Sequence, residues 1–356
     1  MAIVDGPDRF QRRHAWAGFP LAVIYKYFDD FGTYLGAILT YYAFVSLFPL
    51  LLIASTVLSI VLRGNQQLQH QLLTSALAQF PVVGQELDKP EHLSGGTAGL
   101  IIGIASSVYG ALGVAQAFQY ASNTMWGVPR NSRPNPLKAR GRSIVLLAVT
   151  GLGILATTTL SIASNSGVGA LGTVEKYLVL AVSVMINIAV AIFAFRFAPA
   201  RRLSIRDVLP GAIGAAAAWQ LLQSFGVVYV NHVVRHASAT NQVFAIVLGL
   251  LAYLFLAAMA ILLCIEVNVV RVNRMHPRAL LTPFTDNVAL TKGDKRAYTG
   301  QAKAQRSKGF EHIEVGFRPP PVESEPEPVE SPVESEPEPA GDPGDGSDGA
   351  AESRHA

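Results

Sequence analysis

The sequence has few charged residues for its size. Only 15% of its 356 residues are charged and 50% are hydrophobic, whereas soluble domains carry about 25% charged residues. The mean hydropathy is +0.33. Short charged stretches alternate with apolar runs of roughly 20 residues or more, a layout typical of membrane proteins. The composition therefore excludes an ordinary soluble domain.

Cysteine and enzyme motifs are also scarce. Cys264 is the single cysteine, so an intrachain disulfide and a thiolate metal cluster are excluded, and we expect a small buried side chain. There is no phosphate-binding glycine loop, no H-E-x-x-H and no G-x-S-x-G. His232 and His236 could form two corners of a metal site, but no third ligand is near in sequence, which favours interfacial hydrogen bonding. We expect no enzyme activity, cofactor or metal.

Six apolar runs are long enough to cross a bilayer core of about 30 Å. They are residues 35–62, 97–122, 143–164, 177–199, 208–231 and 244–270. The first 34 residues lack the short apolar core and cleavage site of a signal peptide, so the first run is predicted to be a retained helix. Because the runs lack the alternation of barrel strands, the predicted fold is all-α, a polytopic bundle of six transmembrane helices over residues 35–275.

The basic residues predict the orientation of this bundle. Of the 28 Lys and Arg residues, all but four fall in the termini and in the second and fourth connections between spans. The four exceptions are Arg63, Lys89, Lys176 and Arg235. The basic side should be cytoplasmic, which places both termini in the cytoplasm.

Two short amphipathic stretches flank the first span. Leu21, Ile24, Phe28 and Phe31 fall on one helical face within residues 1–34, with Lys26 off that face, which predicts an interfacial helix. Residues 68–80 show a similar pattern and predict a short helix on the outer side. In both cases packing against the bundle is the alternative to contact with lipid.

The C-terminal part differs sharply from the bundle. Residues 276–318 are polar and basic, whereas residues 323–352 contain eleven acidic residues and no basic one. An eleven-residue Pro/Glu unit nearly repeats from Pro321, so we expect residues 319–356 to be a disordered cytoplasmic tail. The tail could bind a basic cytoplasmic partner or remain a solvated segment without one.

Polar residues inside the spans are the candidates for function. Glu266 is the only acidic residue well inside a span, where an unpaired carboxylate costs a few kcal/mol. It is predicted either to pair with a cation such as Arg196 or to form a proton or substrate site. Tyr42, Ser46 and Pro49 share one face of the first span, where the proline predicts a kink. That face could line a cavity or pack on a neighbouring helix.

Four segments resemble the YihY/virulence factor BrkB family. Residues 35–52 resemble its first-helix signature, and three later segments, 123–127, 209–212 and 262–268, match in order. The resemblance covers about residues 17–275 and implies a bacterial inner-membrane protein with six helices. The positions carried over as candidates are Tyr41, Tyr42, Ser46, Pro49, Pro210, Gly211, Glu266 and Asn268.

Two departures and one old label qualify the resemblance. Cys264-Ile265 stands where the family usually has a Gly-Ala pair, and Phe244-Ala245 stands where Tyr-Gly is expected. These departures predict a looser or shifted contact of the last span. The family has been labelled a ribonuclease, but no cluster of acids or histidines faces the cytoplasm, so nucleic acid is not an expected partner.

Three functions remain open from the sequence. The first is a transporter of a lipid or other amphiphile, for which the lipid bilayer is the immediate partner. The second is a non-catalytic scaffold that recruits cytoplasmic partners. A membrane-embedded hydrolase or nuclease is the remote third.

Overall fold

The computed structural model describes residues 2–61, 96–165, 173–229, 239–285 and 288–318. Within these ranges the chain forms nine α-helices and no strand, which confirms the all-α prediction. The helices are α1 Ala2–Arg13, α2 Ala15–Asp29, α3 Gly32–Val61, α4 Gly96–Met125, α5 Pro136–Asn165, α6 Thr173–Phe197, α7 Ile205–Tyr229, α8 Ala239–Asn273 and α9 Lys292–Ala304.

Helices α3 to α8 are long and apolar. Each of the six predicted spans falls on one of them, and they contain between 25 and 35 residues. Three segments of the described chain are long and apolar enough to cross a membrane: Pro136–Leu160, Tyr177–Phe197 and Val247–Asn273. Gly32–Leu47 is a shorter apolar segment.

The six long helices pack in sequence order around a ring. Each helix from α3 to α7 contacts the next one, and α8 closes the ring on α3 while also touching α4. Four parts of the chain meet at one end of this ring: the α4–α5 connection, the α6–α7 connection, α2 and α9. Hydrogen bonds between Asn131 and Arg306 and between Asn123 and Ala200 lie at this end. We call this end the basic end because most of the described Lys and Arg residues lie there.

A left-handed glycine ends helix α4 at the basic end. Gly127 has φ +62°, and the amides of Gly127 and Val128 bond back to the carbonyls of Thr124 and Asn123. This is a Schellman motif, which satisfies the last carbonyls of a helix. The Asn123 side chain also accepts a hydrogen bond from the Ala200 amide at 2.7 Å. The 123–127 segment therefore stops α4 and ties it to the α6–α7 connection.

Close backbone contact joins α3 to α4. A Cβ atom added to Gly110 would lie 2.6 Å from Cβ of Ser46, and one added to Gly113 would lie 2.2 Å from the Tyr42 ring. Only glycine permits this approach, which lets two helices pack through dispersion contacts in a lipid environment. Tyr42 and Ser46 thus pack on a neighbouring helix in this region.

Helix α2 exposes part of its apolar surface. Ile24 and Phe28 are 46% and 64% exposed, and Phe31, just after the helix, is 63% exposed, whereas Lys26 is buried. The helix packs against α8, and its buried face contains Ala22, Val23 and Tyr27 as well as Lys26. That arrangement suits a helix whose exterior is membrane interface, as the sequence predicted.

The segment after α8 folds back onto the N-terminal helices. The Asp8 carboxylate accepts from the Leu280 amide, the Gln11 amide donates to the Arg278 carbonyl at 2.5 Å, and Gln301 donates to the Asp29 carbonyl at 2.6 Å. Helix α9 begins with a capping box in which Thr291 and Asp294 each bond the other's backbone amide. Residues 2–30 and 275–304 therefore form a single layer across the basic end.

Candidate functional site

Glu266 lies in α8 with no exposed surface. In the part of the chain that the structure describes, no donor lies within hydrogen-bonding distance of either carboxylate oxygen. A buried ionised carboxylate without donors is unfavourable by several kcal/mol. The surroundings of Glu266 therefore favour a protonated acid or one that exchanges its proton.

Lys26 is a buried cation that interacts electrostatically with this acid. Its ammonium group donates to the Asp30 carboxylate, one helical turn away, and reaches the Met125 carbonyl at 3.5 Å. Burial acts to lower the pKa of Lys26, but Glu266 and Asp30 outweigh it and raise the pKa above its usual value. Arg196, suggested by the sequence as a partner, donates to the Leu203 carbonyl in its own connection.

Asp30 completes what we call the lysine cluster: Lys26, Asp30 and Glu266. Burial raises the pKa of Asp30, although the Lys26 ammonium opposes this. The Glu266 carboxyl lies close enough to the Lys26 ammonium to raise the pKa of Lys26, although neither Glu266 oxygen has a hydrogen-bond partner among the described residues. The cluster thus places two acids beside one buried cation, and only one of those acids pairs with it directly.

A second buried group, the arginine cluster, consists of Arg278, Asp29 and Asp294. Arg278 has no exposed surface; its Nε donates to Asp294 and its Nη1 donates to Asp29 at 2.9 Å. Asp294 also accepts from the amides of Ala279 and Thr291. The Asp29 and Asp294 carboxylates raise the pKa of Arg278 against the opposing effect of burial.

The sequence-predicted residues Pro210, Gly211 and Asn268 come together between α7 and α8. Asn268 accepts from the Gly211 amide at 2.8 Å and donates to the Val208 carbonyl at 3.2 Å. Pro210 has no amide for the Arg206 carbonyl, and Arg271 supplies the missing donor at 2.9 Å.

The α7–α8 contact is close despite the family departure at Cys264. A Cβ atom on Gly211 would lie 2.1 Å from the Cys264 carbonyl oxygen. The contact at this point is therefore not looser, because Gly211 supplies the small residue from the facing helix; a shifted contact stays a prediction. This contact, which we call the α7–α8 clamp, fixes α8 at Cys264 and Asn268, each of which lies two residues from Glu266.

Tyr41 occupies a different face of α3 from Tyr42 and Ser46. It is 58% exposed and borders an apolar groove between α3 and α8, with Phe44 and Phe255 among its lining residues. Pro49 falls within α3, but its side chain lies outside the described part of the structure. The candidates of α3 are therefore not gathered around Glu266.

A cavity of about 600 Å³ with a mixed lining of cationic and apolar groups opens beside Lys26 and Asp30. Lys26 and Asp30 form part of its wall, together with the end of α4 and one face of α9. Arg201 stacks over the Trp126 ring at 5.2 Å and Arg133 stacks over Tyr120 at 5.2 Å. The cavity thus lies between the Lys26–Asp30 pair and a cationic surface.

Sequence reasoning singled out Glu266 and Asn268 but missed Lys26, Asp30 and Arg278 as buried partners. The only local signal was the Thr291–Asp294 spacing of a capping box, which could have indicated α9. His232, His236, the 68–80 stretch and the 319–356 tail lie outside the described residues. Among the described residues, no group of three or more His, Cys, Asp or Glu side chains is arranged to hold a metal ion.

Comparison with known proteins supports a single family. The family model of virulence factor BrkB matches residues 23–287, from within α2 to beyond the cation Arg278. No curated protein and no solved structure is found to be significantly similar to this chain. The matched range covers most of the chain and includes all of α3 to α8, whose apolar helices are those of a multi-pass membrane protein. The chain belongs to the virulence factor BrkB family.

Proposed function

We propose that this protein is a six-span bacterial inner-membrane protein, with both termini in the cytoplasm, that transports a lipid or other amphiphile. Six long helices support the span count, and the basic residues support the orientation. The observation that carries the transport function is Glu266, a buried acid without a hydrogen-bond donor among the described residues.

Contacts between the segments before the first span and after the last span support an even number of spans. Asp8 binds the Leu280 amide and Asp29 binds Arg278, so α1, α2 and the segment after α8 lie on one side of the membrane. An odd number of crossings between them would separate these partners. Since this side carries most of the cations, it is the cytoplasmic side under the positive-inside rule.

Single-cysteine labelling tests this topology. In a Cys264→Ala background the chain has no cysteine, so Ser132→Cys and Lys89→Cys each introduce one reactive site. We expect an impermeant maleimide added to intact cells, with the outer membrane permeabilised, to label Lys89→Cys and to leave Ser132→Cys unlabelled. Labelling of Ser132→Cys under those conditions would overturn the orientation.

Glu266 supports a proton-linked cycle. A carboxyl group that faces Asp30 and lies near Lys26 can take up or release a proton when either neighbour moves. A purely structural acid in this position would be expected to have donors, as Asp294 has. Protonation of the acid pair is therefore proposed to be coupled to a change in the basic end.

The two cavities fit an amphiphile. The cavity beside Lys26 is lined by several cations and has space for a charged headgroup, and the groove around Tyr41 is lined almost entirely by apolar groups. A small water-soluble substrate would have no use for the apolar groove. Lipids and other amphiphiles need both kinds of surface.

Complementation of a deletion strain tests the proposal. Deletion is expected to change the lipid composition of the envelope, and the wild-type gene should restore it. Glu266→Gln should fail to do so at equal protein level, because the amide cannot exchange a proton. Cys264→Ala, a change two residues away on the same helix, should complement. Full complementation by Glu266→Gln would contradict a proton-coupled role.

A scaffold remains the second candidate. Residues 276–318 form a folded layer at the basic end together with α1 and α2, which offers a surface for a cytoplasmic partner, and the acidic tail is a second one. Deletion of residues 319–356 should then remove cross-linked partners while leaving envelope lipids unchanged. If neither partners nor function change, the tail has no recruiting role.

A further inference from the structure

The cavity beside the lysine cluster carries an excess of positive charge. Six of its lining cations have no carboxylate partner among the described residues. They are Arg130, Arg133, Arg201, Lys295, Arg296 and Lys303. Its two acids are already engaged, because Asp29 binds Arg278 and Asp30 binds Lys26. The cavity is therefore lined by six cations that no described carboxylate neutralises.

Several of these cations are held in place before any ligand arrives. Arg201 lies over Trp126 and donates to Asn273 at 3.4 Å. Arg133 lies over Tyr120, and its Nε donates to the Val128 carbonyl at 3.2 Å. Fixed guanidinium groups lose little entropy on binding an anion, and their planar donors match phosphate oxygens.

The presence of two arginines at the same part of the cavity also favours an anionic ligand. Burial lowers the pKa of Arg133, and the Arg130 guanidinium adds to this, although Tyr120 opposes both. Arg130 and Arg133 both line the cavity, and an anion bound there would offset the repulsion between them. The geometry thus favours a ligand with at least one full negative charge.

The rim of the cavity is apolar and exposed. Phe31 ends the outward-facing row of α2, and Tyr120 lies in the apolar run of α4; they are 63% and 51% exposed. Both line the cavity wall. A free ion would gain nothing from these rings, whereas a lipid would contact them with its glycerol and first methylene groups. The cavity volume of about 600 Å³ is in the range of specific ligand pockets.

We propose that this basic cavity binds the phosphate headgroup of an anionic membrane lipid, with the acyl chains leaving past Phe31 and Tyr120. The inference names the ligand class for the proposed function and rests on it only for the transport step, since binding itself is measured without transport. The cytoplasmic leaflet, where the orientation above puts this cavity, is rich in anionic lipid.

Binding of fluorescent phosphatidylglycerol to the full-length protein in detergent tests the inference. Fluorescent phosphatidylcholine serves as the zwitterionic lipid, and glycerol phosphate and inorganic phosphate serve as soluble competitors. We expect phosphatidylglycerol to bind at least tenfold more tightly than phosphatidylcholine. Soluble phosphates should compete weakly, because they lack contacts with the apolar rim.

A matched pair of double variants locates the site. Arg130→Gln with Lys303→Gln removes two exposed cavity cations, and Arg140→Gln with Arg202→Gln removes two exposed cations that do not line it. The first pair should weaken phosphatidylglycerol binding about tenfold or more, and the second by less than about twofold. The single variants Arg130→Gln and Lys303→Gln should each give part of the loss.

Three results would overturn the inference. They are unchanged phosphatidylglycerol binding in the cavity variant, equal losses in both double variants, and soluble phosphate that binds as tightly as the lipid, which would make the ligand a free phosphate. Glu266→Gln separates this inference from the proposed function, because it should still bind phosphatidylglycerol while failing to complement. Binding without a complementation defect in Glu266→Gln would remove the proton-coupled cycle and leave the lipid site standing.

Discussion

The lysine cluster and the arginine cluster each bring one cation and two acids into the interior, yet their hydrogen bonding differs. In the arginine cluster, Asp294 accepts from Arg278, from two backbone amides and from the Thr291 hydroxyl. In the lysine cluster, neither oxygen of Glu266 has a donor. Asp29 and Asp30 are neighbours in sequence, but each belongs to a different cluster.

This difference separates a structural role from a chemical one. The arginine cluster joins α2 to α9 through ion pairs of Arg278 with Asp29 and Asp294. In the lysine cluster the Lys26 ammonium donates to Asp30, and Glu266 is left without a donor among the described residues. Hydrogen bonds offset the desolvation of a buried charge, and both acids of the arginine cluster receive them whereas Glu266 does not.

The largest expected effect is on stability when the arginine cluster is broken. Asp294→Asn removes the carboxylate that pairs with buried Arg278 and should destabilise the protein by about 3 kcal/mol. The thermal unfolding midpoint in detergent should fall, and protease should cut residues 288–318 faster. Arg202→Gln, a change of an exposed cation outside both clusters, serves as the control. A wild-type midpoint for Asp294→Asn would contradict the structural role.

A substitution in the α7–α8 clamp should displace the lysine cluster and leave the arginine cluster in place. In Gly211→Ala the new methyl group would meet the Cys264 carbonyl and the Asn268 side chain, which should cost about 1 to 3 kcal/mol. Gly151→Ala in α5 meets nothing within 4 Å and should leave stability unchanged or slightly raised. Complementation should be reduced in Gly211→Ala only. Equal behaviour of the two variants would contradict the close approach.

Glu266→Gln repeats the acid-to-amide change of Asp294→Asn at an equally buried position. Because no donor is lost, its unfolding midpoint should differ little from that of the wild type, by less than about 1 kcal/mol in stability. This small effect beside a lost function is the sharpest contrast between the clusters. A destabilisation as large as that of Asp294→Asn would make Glu266 a structural residue.

The smallest expected effect is a pH dependence from Asp30. Burial raises the pKa of Asp30 above its ordinary value of 3.8, so the folded protein holds this proton more tightly than the unfolded chain does. The resulting stabilisation is complete below pH 3.8 and is lost as the pH rises through the raised value. The unfolding midpoint of the wild type, relative to Asp30→Asn, should therefore fall between acidic and neutral pH. A pH-independent difference would contradict the raised pKa of Asp30.

Hydropathy was enough to predict the long helices of the bundle. Each apolar run from 35–62 to 244–270 corresponds to a helix, because a segment of that length and composition can satisfy its backbone only within itself in lipid. The outward apolar face of α2 followed from the spacing of Ile24, Phe28 and Phe31. Glu266 was found because an acid in an apolar run is rare.

The partners of Glu266 could not be predicted in the same way. Lys26 lies in a helix 240 residues earlier in the chain, and nothing in its local pattern shows that its charged face turns inward. Arg278 and Asp294 looked like ordinary members of a polar segment, although both are fully buried. Local composition reports the average environment of a segment, whereas these pairings depend on which helices meet.

By itself the sequence determined that the chain is a helical membrane protein, where its long helices run and which end is basic. Those properties follow from the length of the apolar runs, which determines which segments enter lipid, and from the positions of Lys and Arg, which remain in contact with water. The tertiary structure alone decided that Asp29 and Asp30 belong to different clusters and that a cationic cavity lies beside Lys26 and Asp30. Such features arise from contacts between distant segments, and no single segment carries the information that specifies them.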